Sequence, residues 1–262
     1  MVYCNCDDPY TSQFYRYFKD NFTALGLKKV ITSCYENVFK QGESPKAICA
    51  VWDGQREVIT ELTGDGDFRS EECIALLKEA DIVVSNPPFS LFRDYVKTLL
   101  DYKKDFLIIG PMTAAVYREI NPAIKANKIW FGVNRIHRFT VPAGAQGNST
   151  YDPKTAEVVF GNIRWFTTLD HSKRHKKMAL VKRYDENRDY YQPYDNYPAI
   201  NVPKTRDIPA DYRGVMGVPV TFLDTYCPEQ FEIVKFRYGE KNRDLTIKGK
   251  ELFTRILIRR VD

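Results

Sequence analysis

Val2-Tyr3-Cys4-Asn5-Cys6-Asp7-Asp8-Pro9, read with the residues up to Cys34 behind it, decides the fold of this chain. The apolar run at its start reads as a buried strand that Asp7-Asp8-Pro9 stops, because proline supplies no N–H to a ladder. From Thr11 to Leu25 the apolar residues Phe14, Tyr17, Phe18, Phe22 and Leu25 recur every three or four positions, which predicts a helix with one buried face. Gly26 then takes the usual helix-closing place. Lys28-Lys29-Val30-Ile31-Thr32-Ser33-Cys34 is a second strand. Strand, helix and strand in immediate succession make a parallel unit, since parallel neighbours need a crossover of that length.

The same alternation continues outward. Ala47 to Trp52 reads as a third strand, turning through Asp53-Gly54 into Arg56–Leu62 as a hairpin. Ser70-Glu71-Glu72 starts a helix with a capping hydroxyl and early acids, and Ile74, Leu76, Leu77 and Ala80 give it an apolar face. Asp81 to Ser85 is a fourth strand, Leu91–Tyr102 a helix and Asp105–Gly110 a fifth strand. Ala114–Ala126 reads as one helix, and Ile129–Gly132 and Val158–Trp165 as later strands. Strands separated by helices predict an α/β fold: a mostly parallel twisted sheet with helices on both faces.

Composition agrees with a globular protein. The chain has 262 residues, 44% apolar and 28% charged, outside the range of disordered chains, and it holds no apolar run of the ~20 residues that a membrane helix needs. Six cysteines without a C-x-x-C pair read as free thiols of a cytoplasmic protein. Residues 1–165 balance their charges, and the net excess of +5 lies entirely beyond them. Past residue 170 comes the basic cluster Lys173-Arg174-His175-Lys176-Lys177. It is followed by a stretch from Tyr184 to Pro198 with five tyrosines, then by strand-like runs at Phe231–Val234 and Arg255–Ile258. The expected organisation is a catalytic domain over 1–170 and a basic extension over 171–262, whose terminal strands have the option of packing on the core.

In an open parallel sheet, ligands bind beyond the carboxyl ends of the strands, so the residues after each strand are the candidates. After the fourth strand stands Asn86-Pro87-Pro88-Phe89. Two prolines fix their own φ and stiffen the backbone, so the Pro87 carbonyl and the Asn86 amide oxygen can face one amino group. An aryl amine is a poor nucleophile because its lone pair is delocalised into the ring. Two fixed acceptors on its N–H bonds favour a pyramidal nitrogen and take up the developing positive charge. Phe89 offers a face for stacking a base. Such a site suits amine methylation by direct displacement.

Val83-Val84-Ser85-Asn86-Pro87-Pro88-Phe89 resembles the catalytic motif of amino methyltransferases that use S-adenosylmethionine. Val2-Tyr3-Cys4-Asn5-Cys6-Asp7-Asp8-Pro9 resembles, more narrowly, the opening of the EcoRI-type adenine-specific DNA methyltransferase family. Ile31–Tyr35, Gly64–Asn86, Gly214-Val215-Met216-Gly217-Val218-Pro219 and Arg255–Arg260 are similar to that family too. The resemblance implies a Rossmann-like S-adenosylmethionine methyltransferase fold with a C-terminal basic extension, acting on the N6 amino group of adenine in double-stranded DNA. It implies that Cys4, Asn5, Cys6, Asp7 and Asp8 form the turn near the methionine part of S-adenosyl-L-methionine. Tyr35 falls at the ribose and adenine edge, while Asp67 and Phe68 serve the cofactor's adenine. Asn86, Pro87, Pro88 and Phe89 carry the catalysis, with Asn86 also touching the cofactor. Two departures from the family stand out: no G-x-G follows the first strand, and the upstream aromatic-x-Thr element of relatives is not seen before Val2.

With that reading, Lys173, Arg174, Lys176 and Lys177 are the expected phosphate contacts. The tyrosine-rich stretch has two readings, a wedge against an opened duplex or a loop covering apolar core. His171 and His175 have a spacing that a metal uses, but no accompanying ligand set, so neither metal nor membrane is expected; a monomer is. Cytosine-C5 methylation needs a cysteine nucleophile after proline, whereas Cys227 precedes Pro228. The remaining alternatives are the same chemistry on RNA, or a DNA-binding homologue with impaired catalysis.

Overall fold

The computed structural model describes residues 1–35, 46–140, 151–152, 154–237, 245–252 and 254–262. It divides into two compact units, one of Met1–Pro111 with Asn134–Leu169 and the other of Met112–Val133 with Asp170–Asp262.

In chain order the first unit begins with β1 (Val2–Asn5), α1 (Gln13–Asp20), β2 (Val30–Cys34), β3 (Ile48–Trp52), β4 (Glu57–Glu61), α2 (Glu71–Glu79), β5 (Ile82–Ser85), α3 (Phe92–Asp101) and β6 (Asp105–Pro111). There follow α4 (Asn121–Lys125) and β7 (Trp130–Arg135), then β8 (Arg138–Thr140), β9 (Tyr151–Asp152), β10 (Glu157–Val159) and β11 (Ile163–Thr167). The rest of the chain holds β12 (Ile200–Asn201), β13 (Met216–Pro219), β14 (Phe231–Arg237), β15 (Thr246–Ile247), β16 (Lys250–Glu251) and β17 (Arg255–Arg260).

The first unit is a sheet in the order β4-β3-β2-β1-β5-β6-β11. Its centre is parallel, with Val2 opposite both Val30 and Ile82, and Ile82 opposite Asp105. The hairpin β3–β4 and the strand β11 are added antiparallel at its two sides. Strand side chains alternate between faces, and the helices divide accordingly. Val2, Cys4, Val30 and Val84 pack with Tyr15 and Phe18 of α1. On the opposite face the Tyr3 hydroxyl meets Ser33 at 2.6 Å, and Ser33 touches Cys73 of α2 at 3.9 Å. The α/β reading therefore holds, with a large, mostly parallel central sheet.

Local chemistry accounts for the helix boundaries. Ser12 caps α1 by accepting the Tyr15 N–H at 3.2 Å, and Ser70 caps α2 by accepting that of Cys73 at 3.2 Å. The regular part of α1 stops at Asp20, earlier than the apolar spacing implies, because the Asn21 side chain takes the Tyr17 carbonyl at 2.9 Å. The chain then continues in turns and closes at Gly26 (φ +60°), with Leu27 N–H bonded to Phe22 O and Gly26 N–H to Thr23 O. Ala114–Ala126 is not one helix. A short 3-10 segment covers Met112–Val116, and α4 starts afresh with Pro122 in its first turn, where the missing N–H costs nothing. Val158–Trp165 likewise divides into β10 and β11 around Gly161-Asn162.

The second unit contains a sheet in the order β12-β13-β17-β14. Tyr194, Ala199, Leu245 and Leu257 form a buried cluster beside it. Of the two readings of the tyrosine-rich stretch, core cover accounts for Tyr191 and Tyr194, which are both buried.

One close approach fixes α3 on the sheet. A Cβ built on Gly110 of β6 would fall 2.2 Å from Cζ of the wholly buried Phe92. Gly110→Ala is therefore expected to lower stability by about 1–3 kcal/mol in a denaturant melt. Phe92→Leu should cost less in that background than in the wild type, the sign that the two positions share one space.

Candidate active site

The chain runs from β1 to β2 on one side of the sheet and later returns to β5 on the other side of β1. The crevice beyond the carboxyl ends of β1 and β5 is thus the topological switch point, where such sheets bind ligands. Asn5 to Asp8 leave β1 there, and Asn86 to Phe89 leave β5.

The first turn is tied down from below. The Asp7 N–H donates to Ser33 O at 2.9 Å, and the Thr32 hydroxyl lies against the carbonyls of Cys4 (3.1 Å) and Asp7. Asn5 is buried, and its side-chain oxygen receives the Cys6 thiol at 3.4 Å. Cys6 sits at φ +66°, a left-handed conformation that glycine adopts most easily. The Asp8 carboxylate accepts the Tyr10 N–H at 2.7 Å, and its carbonyl accepts those of Thr11 and Ser12, so the turn leads into α1 without a break.

Asp7 joins this turn to the next one. Its Oδ1 accepts the Ser12 hydroxyl at 2.8 Å and its Oδ2 the Ser85 hydroxyl at 2.8 Å. Burial pushes this carboxyl up to about 6, against the opposing pull of those two hydroxyls and of the neighbouring Asn86 backbone. Ser85 also contacts the Asn5 carbonyl.

In the second turn Pro87 is buried, while Asn86, Pro88 and Phe89 are exposed, Phe89 at 41%. The Pro88 carbonyl accepts the Leu91 N–H at 3.0 Å, closing a single 3-10 turn that runs straight into α3. The motif is therefore rigid at its base and open at its tip.

Tyr35, 54% exposed, stands just past β2. Gly66 (φ +77°) leaves no room for a Cβ against the Cys34 carbonyl, at 2.3 Å, so the turn carrying Asp67 and Phe68 presses on the same end of β2. Asp67 takes Arg69 in a fork, Nε at 2.8 Å and Nη2 at 2.7 Å, and this guanidinium holds its carboxyl below the usual range. Phe68 is buried edge-on to Tyr95 with centroids 5.0 Å apart, and the Arg69 guanidinium lies 5.1 Å from its ring centre. All the cofactor and catalytic residues named from the sequence thus belong to one unit, on the turns that follow its strands. Ser12, Ser85, Arg69 and Tyr95 were missed. Ser85 lies inside the quoted Val83–Phe89 stretch, whereas Ser12, Arg69 and Tyr95 carry no motif.

The chain matches the family of the adenine-specific methyltransferase EcoRI over residues 1–261. It is 46% identical to the type II methyltransferase M.EcoRI of Escherichia coli, over 99% of this chain and 85% of that protein. It is 39% identical to the type II methyltransferase M.MgeORF184P of Mycoplasma genitalium and 38% identical to M.MpnI of Mycoplasma pneumoniae. Each match covers 89% of this chain and 74% of the relative. No solved structure is significantly similar to it. The chain belongs to the EcoRI adenine-specific methyltransferase family.

The basic cluster of this EcoRI-family chain lies in the other unit, and four of its five members have intramolecular partners. Lys173 donates to Val133 O at 3.0 Å, Lys177 lies 3.6 Å from Asp262, and Arg174 pairs with Asp170 at 3.5 Å while stacking 3.8 Å above Trp130. Lys176 is exposed. His171 bonds Phe131 O at 2.9 Å, whereas His175 bonds Asp170 and Glu229, whose carboxylates raise its pKa, so the two rings have separate partners. Among the described residues no group suits a metal ion, and no helix is long and apolar enough to cross a membrane. Burial raises the thiols of Cys6 and Cys227, which suppresses the thiolate that a covalent mechanism would use.

The left-handed Cys6 supplies a test. Cys6→Gly is expected to keep the melting temperature. Cys6→Val, whose branched side chain resists this conformation, should lose about 2 kcal/mol in a denaturant melt.

Proposed function

We propose that this chain transfers a methyl group from S-adenosyl-L-methionine to the N6 amino group of adenine in double-stranded DNA, as the modification enzyme of a restriction–modification or phage-type system in the cytoplasm. The observation that carries this reading is the Asn86-Pro87-Pro88-Phe89 turn at the switch point, exposed at all but Pro87, with the preceding Ser85 hydrogen-bonded to Asp7 in the turn assigned the place of a glycine-rich motif. Family membership supports it, since the relatives are type II methyltransferases.

The cofactor is assigned to Cys4, Asn5, Cys6, Asp7 and Asp8 along the first turn, to Tyr35, to Asp67 and Phe68, and to Asn86. The residues present fit such a group. The exposed Tyr35 and Asn86 follow β2 and β5, the two neighbours of β1 in the sheet. Asp67 has acceptor capacity beyond its fork with Arg69, because a carboxylate offers about four lone-pair positions. When bound, S-adenosylmethionine supplies a methyl group activated by a sulfonium leaving group.

The chain supplies the rest. The target adenine has to leave the duplex to reach such a crevice, and Phe89 stacks on it. The Asn86 Oδ1 and the Pro87 carbonyl accept its two N–H bonds, orient the nitrogen lone pair and stabilise the positive charge that grows on it during displacement. No covalent enzyme intermediate is required. The basic extension over 171–262, with Lys173, Arg174, Lys176 and Lys177, is assigned to the DNA phosphates, and residues 1–170 to cofactor and catalysis.

Asn86→Ala removes one of the two acceptors. Transfer of labelled methyl to duplex DNA should fall by on the order of 10²–10³-fold, while calorimetry still registers cofactor binding within about threefold of wild type. Retained transfer would overturn the assigned role, and transfer to RNA but not DNA would overturn the substrate.

A further inference from the structure

At one point of the second unit three cations meet on a single acidic side chain. Arg260, the last residue of β17, holds Oδ1 of Asp262 with its Nε at 3.0 Å and its Nη2 at 2.8 Å. Lys177 of the basic cluster stands 3.6 Å from Oδ2 of the same carboxylate. Arg213, from the loop before β13, stands 3.8 Å from Oδ1 and also donates to the Asp262 main-chain oxygen. The Arg260 side chain is 11% exposed and is fixed by the Ala210 carbonyl, whereas Lys177 and Arg213 are exposed.

This cradle has donors to spare. Two guanidinium groups and an ammonium carry many more N–H donors than one carboxylate accepts. Lys177 and Arg213 are attracted to the side-chain oxygens but stand outside hydrogen-bond range of them. The other carboxylates nearby have cations of their own. Asp211, next to Ala210, takes Arg183 at 3.7 Å, and Asp207 takes Lys182 at 3.1 Å. Arg259 belongs to the opposite face of β17, where it pairs with Glu232 at 2.5 Å.

We infer that Lys177, Arg213 and Arg260 form a binding site for one phosphodiester of duplex DNA, and that the Asp262 carboxylate holds the place of that phosphate until DNA arrives. The inference rests on the DNA-directed function assigned above and adds Arg213, Arg260 and a built-in competitor to the contacts of the extension.

The two anions are interchangeable in kind. A phosphodiester, like a carboxylate, spreads one negative charge over two terminal oxygens, and the planar fork of Arg260 suits either. The exposed Lys177 and Arg213 are free at their tips to close on the new group. Asp262 leaves without opening the core, because Val261 before it is 52% exposed. Exchange also frees the counterions held by the phosphate, which favours it at low salt.

The test is the anisotropy of a labelled DNA duplex titrated with the full chain over a range of salt concentrations. Arg213→Ala should weaken binding and lower the slope of log K against log salt by about one, alike on unrelated duplexes, since a phosphate carries no sequence. Asp262→Asn removes the competitor and should tighten binding about three- to tenfold at low salt. Glu232→Gln changes the net charge equally on the Arg259 face, and should tighten it by less than about twofold. In the double variant of Arg213→Ala with Asp262→Asn the gain should shrink, because both residues act at one site. Arg213 and Asp262 are exposed residues, so these variants are expected to fold, which a thermal melt checks. No tightening in Asp262→Asn, an equal gain in Glu232→Gln, or an unchanged slope in Arg213→Ala would each overturn the inference. A wild type that binds duplex DNA with these responses but methylates none would sink the assigned function and leave the phosphate site standing. One that binds no duplex DNA would overturn both.

Discussion

A carboxylate removed from water survives only where donors replace its hydration. Asp7 meets that condition with two hydroxyl donors: Ser12, five residues on at the start of α1, and Ser85, 78 residues away at the end of β5. The arrangement demands that β5 lie directly beside β1, which the order β2-β1-β5 provides. It does not come free. A shift from the ordinary carboxylate value to about 6 corresponds to about 3 kcal/mol against the charged form. Since the folded value is raised, that penalty is absent below the unfolded value and complete once pH has risen past about 6.

The sheet converts this local bond into a site. Parallel strands deliver successive turns to one edge, and the reversal of direction at β1 opens a crevice between two of them. The turn after β1 is braced on β2 through Thr32 and Ser33. The Gly66–Phe68 turn is braced on the Cys34 carbonyl at the end of the same strand. Three turns far apart in sequence therefore share one support, β2 with its neighbour β1. Substitutions in that support should act on the site without touching a ligand.

Sequence made the local part of this legible. Strand ends, the β3–β4 hairpin and the cap at Ser70 depend on residues within a few positions of each other, so spacing and residue type suffice. The Asn86–Phe89 motif was legible for the same reason. Longer relations were not. Asp7 and Ser85 are 78 residues apart, and nothing in either residue announces the other. Read alone, Asp7-Asp8 looks like a pair of turn acids, yet Asp8 caps backbone at the surface while Asp7 is drawn inside. The one long helix read over Ala114–Ala126 failed because apolar spacing outweighed Pro122, which starts a helix but cannot continue one. In the basic cluster, Lys173, Arg174 and Lys177 have intramolecular partners that charge counting cannot foresee.

Asn86 is held from both sides by different physics. On its C-terminal side the ring of Pro87 clashes with helical backbone at Asn86 and limits it to extended conformations. The buried Pro87 and the Pro88–Leu91 hydrogen bond carry that restraint into α3. On its N-terminal side the preceding residue, Ser85, is buried and tied down by the hydrogen bond that its hydroxyl donates to the Asp7 carboxylate at 2.8 Å. Steric restraint on one side and a buried hydrogen bond on the other thus hold still the two neighbours of the one exposed residue between them.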